Sequence, residues 1–241
     1  MGKAKQKNKA TPKETKKDNV PFWFLLSEVK FFWELLVFWK NKKKLKKIPV
    51  RKIKNPVLVI PGLATNDLFT LPLRNLLKQK GLNCQGWGFG VNTGYHQKSL
   101  DKLEEKIENL YQKHQSRIIL IGWSLGGVYS REIGLRKPDK IEKIITLGSP
   151  FRFPSKIFVD IVYKRLSGHS IMELNPLIAK HEQAEFQIPL IAISTENDGI
   201  VPLNCCSNTK NKRIKSVNNI RSTHLGLPNN ALIIKKVLES L

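Results

Sequence analysis

Arg117-Ile118-Ile119-Leu120-Ile121-Gly122-Trp123-Ser124-Leu125-Gly126-Gly127 sets a short aliphatic run directly against a Gly-x-Ser-x-Gly. The run Arg117–Ile121 is too short for a buried helix and reads as a buried strand, and a helical pattern follows over Leu125–Lys137. A tight strand-to-helix turn leaves no room for side chains at Gly122 and Gly126, so it exposes Ser124 on a strained backbone. The N-H groups and dipole of the new helix then point at any negative charge that develops beside that serine. Gly127 lets the helix pack closely on neighbouring strands. The competing reading is a glycine-rich turn with an idle serine.

A serine hydroxyl alone is a poor nucleophile at neutral pH, so it needs a base, and the base needs an orienting carboxylate. Downstream, a predicted strand over Pro189–Ser194 leads into Thr195-Glu196-Asn197-Asp198-Gly199-Ile200-Val201-Pro202, and Ser222-Thr223-His224-Leu225-Gly226 precedes the last helix. Asp198 and His224 are the candidate acid and base, in the order Ser, acid, His that suits a strand-turn-helix nucleophile. Glu196 is the rival acid. An oxyanion needs two N-H donors, each worth about 3–4 kcal/mol. Leu125, after the nucleophile, supplies one, and Leu63, in the loop Pro61-Gly62-Leu63-Ala64-Thr65-Asn66-Asp67, supplies the other. His96, His114, His169 and His181 read as surface residues, with His96 and His169 alone near a possible pocket.

Outward from this centre, short apolar runs alternate with amphipathic stretches from Asn55 to the end, a pattern of βαβ units and a mostly parallel sheet. Strands are predicted over Val57–Ile60, Asn83–Trp87, Arg117–Ile121, Ile141–Leu147, Pro189–Ser194 and Arg213–Val217. Helices are predicted over Leu71–Lys80, Lys98–His114, Leu125–Lys137 and Asn230–Leu241. Residues 151–187, with Ile157, Phe158, Ile161, Val162, Ile171 and Met172, are too long for a plain loop and read as a short helical cap.

Taken together, Gly122–Gly127, Asp198, His224, Val59-Ile60-Pro61-Gly62-Leu63, Leu71-Pro72-Leu73-Arg74 and Gly86-Trp87-Gly88-Phe89-Gly90-Val91-Asn92-Thr93-Gly94 make residues 55–241 resemble an α/β-hydrolase-fold serine hydrolase of the lipase and esterase kind. The resemblance implies cleavage of carboxylic esters of apolar acyl groups through an acyl-enzyme; the sequence carries no metal-ligand cluster, phosphate loop or dinucleotide fingerprint, so no cofactor and no metal are expected. An acyltransferase or thioesterase would use the same residues, and a non-catalytic membrane-bound scaffold is the alternative of another class. Many relatives carry histidine where this chain has Pro61, and the sheet is expected to be short, lacking strands before Val57. The resemblance also puts Trp87–Gly94 near the mouth of the site.

The chain has 241 residues with 42 Lys+Arg against 19 Asp+Glu, a net charge of +23. Residues 1–54 alone hold 17 Lys+Arg and 4 Asp+Glu, so the surplus concentrates outside the predicted catalytic domain. No zinc-finger spacing or RNP-type motif accompanies it, which argues against nucleic acid. With 41% hydrophobic residues and 3 cysteines, Cys84 and the adjacent Cys205 and Cys206, the chain is globular and not a disulfide scaffold. Residues 1–19 have the composition of a disordered basic tail.

Residues 20–39 read as an amphipathic helix with a wide Phe/Trp-rich face, on which Ser27, Lys30, Glu34 and Asn41 form a polar stripe and Glu28 lies to one side. Glu28, Lys30 and Glu34 near the centre cost about 2.5–3.5 kcal/mol each in a bilayer, and lysines flank both ends, so a span is disfavoured. A signal peptide fails for want of a cleavage site. Met1-Gly2-Lys3-Ala4-Lys5-Gln6 also lacks a myristoylation signal. Two readings stay open: a helix lying on an anionic membrane surface through residues 20–47, which makes the protein cytoplasmic and peripherally membrane-associated, or a helix packed on the catalytic domain or a second subunit. Residues 20–54 are thus treated as a membrane-associating helix and polybasic linker, whose removal is expected to spare turnover of soluble esters.

Overall fold

The computed structural model describes residues 26–153, 159–208, 211–218 and 220–241. The predicted tail 1–19, helix residues 20–25, and Ile157 and Phe158 of the cap lie outside the described residues.

Six strands form one sheet: β1 (Val57–Ile60), β2 (Cys84–Gly86), β3 (Ile118–Trp123), β4 (Ile141–Leu147), β5 (Leu190–Ile193) and β6 (Ile214–Val217). Their order is β2-β1-β3-β4-β5-β6 and every pairing is parallel. The aliphatic runs have a simple use here. Alternate residues of a strand point to opposite faces, so Leu58, Ile60, Ile118 and Leu120 enter one core while Val57, Val59, Ile119 and Ile121 enter the other.

The first core is closed by α3 (Gln97–His114) and α4 (Leu125–Arg136), and the second by α1 (Phe31–Lys47), α2 (Leu71–Gln79) and α7 (Ala231–Ser240). The connection order reverses between β1 and β3, where the crevice beyond the carboxyl ends of parallel strands receives ligands. That puts Gly62–Leu63 and Ser124 at the same opening.

Strand β3 runs two residues beyond its predicted end, because Gly122 and Trp123 pair with Thr146 and Leu147 and carry the ladder to Ser124 itself. Strand β2 is shorter than predicted, since the Trp87 N-H turns out of the ladder to the Asp67 carboxylate at 3.0 Å.

The cap contains α5 (Asp160–Ser167), a 3₁₀ turn at Ile171–Leu174 and α6 (Asn175–Gln183). The Asp160 carboxylate joins them by accepting from Ser170 Oγ at 2.9 Å and the Ile171 N-H at 2.8 Å. One histidine departs from expectation: His181 is completely buried, not a surface residue. Helix α4 brings the buried Glu132 carboxylate against α6, and His181 Nε2 meets it at 2.9 Å.

The N-terminal helix also departs from expectation in length and orientation. A 3₁₀ turn at Glu28–Lys30 precedes α1, which continues through the polybasic stretch to Lys47. Lysine is a good helix former, and Leu45, two turns beyond Phe38, keeps the stretch seated in the second core. Lys80 Nζ satisfies its terminal carbonyls, donating to Lys46 at 2.9 Å and to Ile48. The polar stripe divides: Lys30 is exposed, whereas Glu34 and the off-stripe Glu28 turn toward the catalytic domain. Among the described residues, no helix is long and apolar enough to cross a membrane.

Burial pushes the His181 imidazole down to about 4, and its hydrogen bond helps hold Glu132 at about 2. A neutral His181 therefore donates to an ionised Glu132. Because the unfolded chain binds a proton on this histidine near 6.5 and the folded chain does not, stability falls as pH drops from about 6.5 toward 4. A melting-temperature series over that range is expected to decline in the native protein and to flatten in His181→Gln.

Candidate active site

The turn from β3 into α4 forces Ser124 to φ 53°, ψ −119°. A non-glycine residue there is strained by about 1–3 kcal/mol and persists only where its surroundings over-determine it. They do so through backbone bonds: the Ser124 N-H donates to Leu147 O at 2.8 Å, and the Gly127 N-H donates to Ser124 O at 2.9 Å. A Cβ at Gly122 would collide with Gly126 O and Ser130 Oγ, and one at Gly126 would collide with Ile60 O. The two elbow glycines are therefore required by the close approach of α4 to β3 at Gly122 and to β1 at Gly126.

Beyond β5, Asp198 is buried with both carboxylate oxygens used. Its Oδ1 accepts from the N-H groups of Ile200 at 2.9 Å and Val201 at 2.7 Å, and its Oδ2 lies 2.6 Å from His224 Nδ1. Glu196, the rival acid, is exposed. The Asp198 bond fixes the Nδ1-H tautomer of a neutral imidazole and leaves Nε2 for the pocket that His224 and Ser124 both line. Thr195 Oγ1 zips the two loops together, donating to Ser222 O and accepting from the Ser222 N-H, both at 3.0 Å.

Leu63 and Leu125 line the same pocket as Ser124. Leu125 opens α4, so its N-H has no partner within the helix. Gly62 holds the first loop against Ser124: a Cβ there would sit 3.2 Å from Ser124 Cβ.

Sequence reasoning missed the residue that shapes this loop. Asn92 is fully buried, and its Nδ2 donates to Pro61 O at 2.8 Å, its N-H to Thr65 O at 2.8 Å, and its carbonyl accepts from the Ala64 N-H at 2.8 Å. With Pro61 in place of histidine, the loop is secured through its backbone by the Trp87–Gly94 segment. Asp67 anchors that segment in turn, accepting from the N-H groups of Trp87 at 3.0 Å and Gly88 at 2.9 Å.

Two further residues were read only as helix charges. Glu28 Oε1 accepts from the N-H groups of Gly199 and His224 at 2.9 Å each, and its Oε2 from the Leu225 N-H at 2.8 Å. Glu34 accepts from the Thr223 N-H at 3.0 Å and from Thr223 Oγ1 at 2.9 Å. Their only sequence signal was two glutamates inside a Phe/Trp-rich helix.

The pocket is walled mainly by apolar side chains, including Trp123, Val128, Phe153, Val159, Ile171 and Val201. Phe153, Val159 and Ile171 come from the cap, while His96 and His169 are not among the lining residues. Burial drives His224 toward its neutral form, but the charge and hydrogen bond of Asp198, joined by the charge of Glu28, outweigh it and raise the imidazole above 6.5. The arrangement offers a hydroxyl on a strained turn and an imidazole backed by a buried carboxylate, both beside an apolar recess.

This sheet, elbow and cap define an α/β-hydrolase fold. Residues 90–234, more than half of the chain, match the model of the PGAP1-like alpha/beta domain, and the chain belongs to that family. Among solved structures, a lipase-esterase related protein from Clostridium acetobutylicum is 20% identical with a TM-score of 0.58, over 78% of this chain and 95% of that one. A structure from the work on the metagenome-derived lipolytic enzymes LipS and LipT is 14% identical with a TM-score of 0.61, over 78% and 93%. The bifunctional biotin biosynthesis protein BioHC of Teredinibacter turnerae is 36% identical over 62 residues. That match spans 26% of this chain and 10% of BioHC.

An NMR titration of the His224 ring is expected to give a midpoint above 6.5, and Asp198→Asn to bring it below 6.5 as burial is left with less opposition. A wild-type midpoint below 6.5 would contradict the paired-charge geometry.

Proposed function

We propose that this protein is a serine hydrolase that cleaves carboxylic esters of apolar acyl groups, with Ser124 as nucleophile, His224 as base and Asp198 as orienting acid. The observation that supports it most is the opening of one apolar pocket onto both Ser124 and a His224 already paired with Asp198.

His224 Nε2 takes the Ser124 proton as Oγ attacks the acyl carbonyl carbon. The resulting oxyanion is met by the N-H groups of Leu63 and Leu125. The tetrahedral intermediate collapses by breaking the bond to the alcohol oxygen, which leaves with the proton from His224. Water then attacks the acyl-enzyme, again giving its proton to His224, and the second tetrahedral intermediate collapses by breaking the bond to Ser124 Oγ, which takes that proton back as the carboxylic acid leaves. Because only neutral His224 accepts the proton, kcat/KM is expected to rise with pH through a midpoint above 6.5.

Hydrolysis of p-nitrophenyl esters from C2 to C16 is expected to increase with chain length and to fall by on the order of 10³-fold or more in Ser124→Ala. Labelling by a fluorophosphonate is expected to vanish in the same variant. Absence of labelling in folded wild type would overturn the reading; labelling without turnover of any ester would shift the substrate to a carrier-bound or thioester acyl group.

The partner proposed for α1 is an anionic membrane surface. Its outward face carries Val29, Phe32, Trp33, Leu36 and Trp39, all more than half exposed, at helical spacings that continue into Lys40, Lys43 and Lys47. Apolar and aromatic residues with lysines beside them suit the boundary of an anionic leaflet, each lysine adding about 1 kcal/mol. Cosedimentation with phosphatidylserine vesicles is expected to fall sharply in Trp33→Ser/Trp39→Ser and in high salt. Undiminished binding by that variant would reject this face, and a wild-type dimer dissolved by the same substitutions would assign it to a second copy.

A further inference from the structure

Four consecutive residues of the histidine loop, Ser222 to Leu225, are each held by a carboxylate from the N-terminal helix segment. Ser222 Oγ lies 3.3 Å from Glu34 Oε2, Thr223 is bound twice to Glu34, and the His224 and Leu225 N-H groups both donate to Glu28. Glu28 also takes the N-H of Gly199, the residue after Asp198. One buried carboxylate therefore joins the acid turn to the histidine loop, across 171 and 196 residues of sequence.

The local sequence is cut to fit these carboxylates. A Cβ at Gly226 would overlap the Glu34 carboxylate, so only glycine admits it there. Thr223 Oγ1 donates to Glu34 and accepts from the Gly226 N-H at 3.0 Å, so the loop folds around the glutamate. Asn230 Nδ2 adds a bond to Glu34 at 3.2 Å while its Oδ1 caps α7. Among the described residues, neither glutamate has a cationic side chain in salt-bridge range. Both are satisfied by N-H and O-H donors, a geometry that fixes where each donor sits more tightly than a mobile lysine would.

We propose that Glu28 is a positioning residue for His224 and Asp198, and that the N-terminal helix segment is consequently a working part of the active site. This rests on the serine-hydrolase reading given above. Glu28 touches no reacting atom; it sets the backbone from which the imidazole is presented. The proposal reverses the expectation that a chain without residues 1–54 keeps its turnover of soluble esters, since that truncation removes the clamp. The charged groups facing His224 are Asp198 and Glu28, with Glu34 bound one residue earlier at Thr223. Their arrangement gives Glu28 two separable effects, on geometry through its hydrogen bonds and on the imidazole through its charge.

The test uses the full chain. Glu28→Gln keeps the shape but turns an NH₂ toward one of the N-H donors and removes the charge. It is expected to lower kcat on a short soluble ester by about 10- to 100-fold with KM unchanged, and to lower the His224 NMR midpoint. Glu28→Asp keeps the charge but cannot span both loops, so kcat falls while the midpoint stays near that of the wild type. Ile107→Ala, a cavity in the core on the other face of the sheet, serves as the destabilised reference and is expected to lower the melting temperature with kcat and midpoint intact. If both Glu28 variants lower only the melting temperature, as Ile107→Ala does, Glu28 is an anchor of the fold and the proposal fails. The NMR midpoint and the rate of fluorophosphonate labelling read the positioning even where no ester is turned over, which separates this failure from failure of the hydrolase reading.

Discussion

The turn at Ser124 is the constraint around which the rest of the molecule is arranged. Holding a serine at positive φ costs about 1–3 kcal/mol, and the cost is met only because β3 is buried, paired on both sides and followed at once by a helix seated on β1. Gly122 and Gly126 follow from the close approach of α4 to β3 and to β1, as does the near-total burial of α4. The strained residue then stands at the opening where the connection order of the sheet reverses, with a helix N-terminus behind it.

The other groups reach that opening from three separate directions, and each arrives on a backbone fixed by a buried polar side chain. Asn92 sets the Pro61–Thr65 loop, Thr195 ties the acid turn to Ser222, and Glu28 with Glu34 holds the histidine loop. A buried polar group that is fully hydrogen-bonded specifies one geometry, because any alternative leaves it unpaired. The electrostatics follow from the same clamps: two carboxylates close to a buried imidazole overcome desolvation and keep it basic.

The N-terminal helix shows how much of a correctly read pattern is left for the fold to place. Periodicity located an amphipathic helix, but a glutamate among aromatic residues reads as a water-facing position unless its donors are known. Here the donors are N-H groups lying 171 to 197 residues away in the chain, and the carboxylates turn inward while Phe32, Trp33 and Trp39 stay outside. His181 was misplaced for the same reason, since its partner Glu132 lies on another helix. Asn92 sat in a glycine-rich segment whose contacts with Pro61 and Thr65 leave no local signature.

By itself the sequence determined the sheet, the elbow and the candidate residues Ser124, Asp198 and His224, because these depend on short-range facts: alternation of apolar residues, glycine beside a serine, and the order of those three residues. Tertiary structure alone decided which backbone groups hold the loops and which face of the N-terminal helix is buried. Those outcomes depend on hydrogen bonds between residues distant in the chain, and a buried carboxylate takes its role from the donors that folding brings to it.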